Sequence, residues 1–196
     1  MVPPEPNHET GWIERITITH LAIQTAGFEK PGGCTKQIFE PGTKWAYSDG
    51  GPNWLTECLT PAYKRGVSKL MFEQVFASLE IAHEDLTWRQ NSCRQAKIDG
   101  GMRREFGSDI SANVVPWRAS VISNLRGGQW NGKQIIPQAF VAAASTTVAS
   151  VIGLPEDPEH YDNTSDHYGL LGGTMRVERG TTCRLTLTSR GACTIA

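Results

Sequence analysis

The chain has 196 residues, enough for one domain with a real core, and its 19 basic and 20 acidic residues leave a net charge of −1. Without a block of Lys or Arg, neither nucleic acid nor an anionic membrane is the expected partner, and no apolar run reaches membrane-spanning length. The start, MVPPEPNHETGW, lacks the basic and apolar regions of an export signal, and the sequence names no compartment.

In chain order, ITITHLAIQTAG (16–27) comes first and reads two ways. ITIT alternates like a strand, while Thr17 suits the cap of a short helix ending at Gly27. EKPGGCTK is a loop dense in turn residues. Pro52 suits a first helical turn, and two stripes follow it at four-residue spacing, Trp54–Cys58–Ala62 and Leu55–Leu59–Tyr63. Pro61 should bend or end that helix. Val67, Leu70, Met71 and Val75 predict another helix, and the stretch from Glu84 to Asp109 reads as polar and irregular.

Asn113 then caps a predicted helix with Val114, Trp117, Val121 and Leu125 as its apolar face, and Gly127–Gly128 stop it. GGQWNGKQIIP is turn-rich, and Pro137 opens a further helix. A long loop runs from Gly153 to Asp166. HYGLL and TCRLTLTS read as strands, the second from its Leu/Thr alternation.

The five cysteines, Cys34, Cys58, Cys93, Cys183 and Cys193, form no C-x-x-C pair, so buried free thiols are expected rather than disulfides or zinc. His160 and His167 stand among Glu156, Asp157, Glu159, Asp162 and Asp166. A solvated acidic loop is the expectation there rather than a metal site. No metal and no cofactor are expected.

WAYSDGGPNWL (45–55) is the stretch with chemistry in it. As a helix cap, Ser48 or Asp49 accepts hydrogen bonds from the free N–H groups of the Pro52 helix, and Tyr47 simply packs. As a site, Tyr47 carries a proton. A free phenol titrates near ~10, so it needs a neighbouring cation to ionise at neutral pH and a nucleophile to deprotonate. Spacing alone finds neither partner.

ITITHLAIQTAG, FEPGTKWAYSDGGPNWL, LMFEQVF, RREFGSDISANV, LRGGQWNGKQIIP and DHYGLL, in that order, resemble the serine β-lactamase-related hydrolases. That family includes class C β-lactamases, penicillin-binding proteins and related esterases. The resemblance runs from about Ile16 to Leu171. It implies that Tyr47 is the tyrosine that assists proton transfer, and that position 49 is the substrate-holding Asn of Tyr-x-Asn. Here that position is Asp49, and a carboxylate cannot donate a hydrogen bond as an amide does. An ester ligand would suffer less from the change than an amide-bearing β-lactam.

Two family motifs are not found. No serine has Lys three residues later, and Ser68 and Lys69 are merely adjacent. Nor does a Lys/His-Thr/Ser-Gly follow the HYGLL segment, where the sequence reads GGTMRVERGTTCRLTLTSRGACTIA. Acyl transfer needs an activated nucleophile and an oxyanion hole, and in that family the Ser-x-x-Lys lysine also lowers the Tyr pKa.

The expectation is therefore an α+β chain, the helix-rich part of a β-lactamase/penicillin-binding-protein-like fold with a truncated antiparallel sheet. Residues 1–15 would be an extension, 16–171 a partial domain and 172–196 a divergent tail. The resemblance implies a serine hydrolase of ester or β-lactam type, inactive as this chain. The alternative is a non-catalytic pseudoenzyme or fragment that binds a ligand or partner. The expected ligand is a small ester or β-lactam-like molecule, and the oligomeric state is not legible.

Overall fold

A computed structural model describes residues 10–29, 36–90, 95–98, 100–107, 110–156, 168–172, 185–187 and 193–195. Its architecture is α+β. Helices and short helical turns dominate the first 150 residues, and the described strands form four separate two-stranded antiparallel ladders.

The ambiguous ITITHLAIQTAG segment resolves as helix. α1 spans Ile18–Ala22, with Thr17 as its cap: the Thr17 hydroxyl accepts from the His20 N–H, and His20 Nδ1 accepts from the Thr17 N–H. This reciprocal pairing satisfies two groups that a strand would have left to a neighbour. Leu21 packs with Ala26, Phe28 and Leu55, joined at the edge by Ile16, Trp54 and Leu59.

α2 (Gly50–Tyr63) starts two residues before Pro52. Gly50 and Gly51 are therefore helical and buried, not a turn. A Cβ on Gly51 would lie 2.8 Å from the Leu21 carbonyl oxygen, so only glycine lets α2 approach α1 this closely. Pro61 does not end the helix at once; the chain leaves it at Lys64, in a left-handed conformation with φ of 51°. The buried side of α2 is Asn53, Leu55, Thr56 and Thr60, whereas Cys58, Ala62 and Tyr63 are exposed. The predicted stripes hold in their first turns, where Leu55 is buried with Trp54 and Leu59 packed at its edge, and fail at Cys58, Ala62 and Tyr63; beside them the helix buries hydroxyls and an amide. Thr56 and Thr60 satisfy theirs on the carbonyls of Pro52 and Thr56 one turn back.

α3 (Val67–Met71) continues through a π-type turn, Phe72–Phe76, and a 3-10 turn, Ala77–Leu79. The stretch expected to be irregular carries three strands. β1 is Leu86–Trp88, β2 is Lys97–Ile98 and β3 is Gly101–Met102. β2 pairs with β3, and β1 pairs with β4 (Ile110–Ala112) in the register Trp88↔Ile110. The next pairing along is Gln90↔Arg104. One residue, Arg89, thus lies between these pairings on one side against five positions on the other, and of those five the described segment 105–107 departs from the ladder register.

α4 (Val114–Leu125) has Asn113 at its cap position, but the Asn113 side chain makes no capping bond. Its predicted apolar face is turned outward. Val114, Trp117, Val121 and Leu125 are exposed, while Pro116, Ala119 and Ser123 are buried. Ala119 packs under Leu79 and Ile81. Gly128 stops the helix as expected, its N–H donating to the Ser123 carbonyl. The turn-rich stretch after it is a hairpin, β5 (Gln129–Trp130) with β6 (Lys133–Gln134). Asn131 and Gly132 take φ of 46° and 76°, the pair of positive values that a two-residue hairpin turn requires. α5 (Gln138–Ala144) follows Pro137 as predicted.

The described part of HYGLL, 168–171, forms no strand. The Tyr168 carbonyl accepts from Val148, the Leu171 N–H donates to the Ala22 carbonyl, and the chain bends between them. His160 and His167 lie outside the described residues. TCRLTLTS does contain a strand, β7 (Leu185–Leu187), paired with β8 (Cys193–Ile195). Cys58 is exposed rather than a buried thiol; Cys34, Cys93 and Cys183 lie outside the described residues. No helix of the described residues is long and apolar enough to cross a membrane.

Candidate active site

The site is built on the segment between Phe39 and α2. Trp45 anchors it. The indole is fully buried among Ile23, Val151 and Tyr168, and the Trp45 N–H donates to the Pro155 carbonyl. An indole of about 150–250 Å² buried at roughly 25 cal/mol per Å² contributes up to about 4–6 kcal/mol.

Tyr47 comes next and is half-buried. Its ring meets Tyr168 edge-on at 6.4 Å, and Tyr168 in turn meets Trp45 at 5.4 Å. Gln24 closes this aromatic row from behind. It is buried with a left-handed φ of 64°, its Oε1 accepts from the Ser48 N–H at 3.0 Å, and its Nε2 donates to the Tyr168 hydroxyl at 3.4 Å. Its carbonyl accepts from the Ala46 N–H. A buried non-glycine residue in that conformation costs of order 1 kcal/mol or more, and here three hydrogen bonds hold it.

The phenol of Tyr168 is pushed up to about 12, first by burial; the Gln24 hydrogen bond acts the other way, and the neighbouring phenol of Tyr47 adds to the rise. The two hydroxyls are electrostatically aware of each other: ionising one opposes ionising the other.

Ser48 is buried. It does not occupy the cap position of α2, which is Asp49. Asp49 occupies the cap position of α2 with helical backbone angles and no side-chain capping bond. What it contributes to the helix is its carbonyl, which accepts from the Asn53 N–H at 3.1 Å. The capping role expected for Ser48 or Asp49 side chains is therefore not realised.

Asp49 is part-exposed and is flanked on one side by the segment 105–107. A Cβ on Gly107 would stand 2.7 Å from the Asp49 Cα. Asn53 fastens that segment: its Nδ2 donates to Glu105 Oε2 at 2.8 Å, and its Oδ1 accepts from the N–H groups of Phe106 and Gly107 at 2.7 and 3.3 Å. The Trp88 indole N–H donates to the Glu105 carbonyl. Arg103 and Glu57 pair through two bonds of 3.1 and 2.7 Å. Arg103 and Glu105 thus tie this segment to α2, and Arg104 Nη1 ties it to β1 through the Trp88 carbonyl.

Tyr47 and Asp49 lie two residues apart but have different neighbours, the Tyr168 row for one and the Gly107 strap for the other. Sequence reading missed Gln24, Asn53, Glu105 and Tyr168 as parts of this arrangement. Asn53 carried a faint signal, an amide at helical spacing after a turn; Gln24 carried none. Among the described residues no cluster of His, Cys, Asp and Glu could hold a metal ion.

No protein-family model matches the chain, and no curated protein does. A solved structure does match: the crystal structure of a "putative beta-lactamase" from Bacteroides dorei, with a TM-score of 0.62 at 14% identity. The match covers 87% of this chain and 58% of that one. The fold of this chain is β-lactamase-like.

Proposed function

We propose that this chain descends from the serine β-lactamase-related hydrolases, which act on ester or β-lactam bonds by acyl transfer, and that as this chain it does not turn substrate over. The observation that carries the reading is the Tyr47–Tyr168–Gln24–Ser48 arrangement on a β-lactamase-like fold. It holds a half-exposed phenol on a rigid turn, where a proton carrier belongs.

In that reading Tyr47 shuttles the proton between a nucleophile and the leaving group, and Asp49 faces the substrate. Ser-x-x-Lys does not occur in these 196 residues, so acylation lacks the family's group to begin it. What is left is a positioned phenol and a carboxylate beside it, suited to binding a small ester or β-lactam-like molecule without cleaving it. The domain reading follows: 16–171 as the β-lactamase-related part, with 1–15 and 172–196 outside it.

Heteronuclear NMR titration with a short-chain ester and with a penicillin tests the binding. Saturable shifts in the Tyr47–Asp49 turn are expected with the ester, and Asp49→Asn should strengthen the penicillin complex by restoring an amide donor. Absence of any saturable shift with either ligand would reject the reading.

A further inference from the structure

Away from the Tyr47 turn, the end of α2, the start of α3 and the β2–β3 hairpin enclose a cleft of about 470 Å³. Lys64, Arg65, Ser68, Lys69 and Arg104 line it. Two backbones meet in its lining: a Cβ on Gly101 would lie 2.8 Å from the Gly66 nitrogen.

The charge is not balanced locally. Glu73 sits against Arg65 and is 3.9 Å from Lys69. Four cations line the cleft and, among the described residues, Glu73 is the carboxylate paired with them, an excess of positive charge in a chain whose total is −1. Arg104 is only part-used: its Nη1 donates to the Trp88 carbonyl at 2.9 Å, while its Nε is buried with no acceptor. A guanidinium offers five donors in a fixed fork; with Nε buried, the terminal N–H groups not used on Trp88 are the ones open to a partner.

We propose that this cleft is a binding site for a small multivalent anion of the phosphate type, a diphosphate group being a form with enough charge to answer several of the cations Lys64, Arg65, Lys69 and Arg104 that line it. A single carboxylate would leave at least one of those cations unanswered. A confined concave cleft with no aromatic side chain on it is the wrong shape for a nucleic-acid strand, which needs a continuous basic groove and stacking platforms.

Isothermal titration calorimetry of the full chain with sodium pyrophosphate at low salt is the test. One saturable event is expected, weakened at least ~10-fold in the double variant Lys64→Ala/Lys69→Ala and unchanged in Lys133→Ala, which removes a distant exposed charge. Lys64 and Lys69 are both exposed, and circular dichroism checks that the variant is folded. The proposal falls if no saturable heat appears, if the double variant binds as the parent does, or if Lys133→Ala weakens binding equally, since binding would then be diffuse screening of net charge.

Discussion

Asn53 and Glu105 are 52 residues apart and meet at 2.8 Å, both buried, the amide of one holding the carboxylate of the other. The same Asn53 accepts from the backbone of Phe106, so one side chain joins the first turn of α2 to the strap beside Asp49. Asn53→Ala would take an amide donor from a buried carboxylate and an acceptor from the part-buried Phe106 N–H. A loss of about 1–3 kcal/mol is expected by urea denaturation. Asn53→Ala in a Glu105→Gln background should cost clearly less, because the buried charge is then absent. Equal costs in both backgrounds would mean that the bond carries no coupling.

Tyr168 gives a pH prediction with a definite sign. Its folded-state value, about 12, lies above the ordinary 10.0 of a tyrosine. The unfolded chain therefore releases this proton first, and the stabilisation from the neutral buried phenol is complete below pH ~10 and is lost as pH rises toward ~12. The loss should be of order 2 kcal/mol. Tyr168→Phe should remove that alkaline decline while changing neutral-pH stability by less than about 1 kcal/mol, since the bond it gives up is long. Chemical denaturation between pH 8 and pH 12, in parent and variant, checks both parts.

Gly107 sets how closely the strap lies on the turn. With 2.7 Å between a new Cβ and the Asp49 Cα, and only backbone and Cβ atoms to give way, Gly107→Ala should cost about 1–3 kcal/mol. Its largest amide chemical-shift changes should fall at 47–53. Changes confined to the strap itself would show that the strap and the turn are not mechanically joined.

The outward face of α4 bears Val114, Trp117, Val121 and Leu125, all at least half exposed. Charging it with Val121→Lys and Leu125→Glu should leave stability within about 0.5 kcal/mol per site and reduce self-association. Sedimentation velocity at rising concentration gives the second result. A large stability loss would mean that the face is covered in the isolated chain.

That helix also shows where sequence pattern ran out. Its limits were legible, from Asn113 to Gly128, because capping position and glycine stop are local signals. Its orientation was not, because an apolar stripe says only that a face is apolar and not that this chain covers it. α2 departs in another way: Leu55 is buried as the stripe predicts, but so are Asn53, Thr56 and Thr60, polar groups whose partners lie one turn back or 52 residues away. The β5–β6 hairpin was readable from Asn131-Gly132 and was taken only as a turn. For the site, the resemblance placed Tyr47 and Asp49. Nothing local pointed to Gln24, whose role depends on a contact 144 residues distant.

The central claim is that Tyr47 stands on a β-lactamase-like fold without a nucleophile to serve in this chain. Intact-mass spectrometry after incubation with a fluorophosphonate serine-hydrolase probe, beside an ester hydrolysis assay, tests it most directly. The account predicts no adduct and no hydrolysis above background. A single stoichiometric adduct with ester turnover would contradict it, and the modified peptide would identify the serine that has taken the place of the missing one.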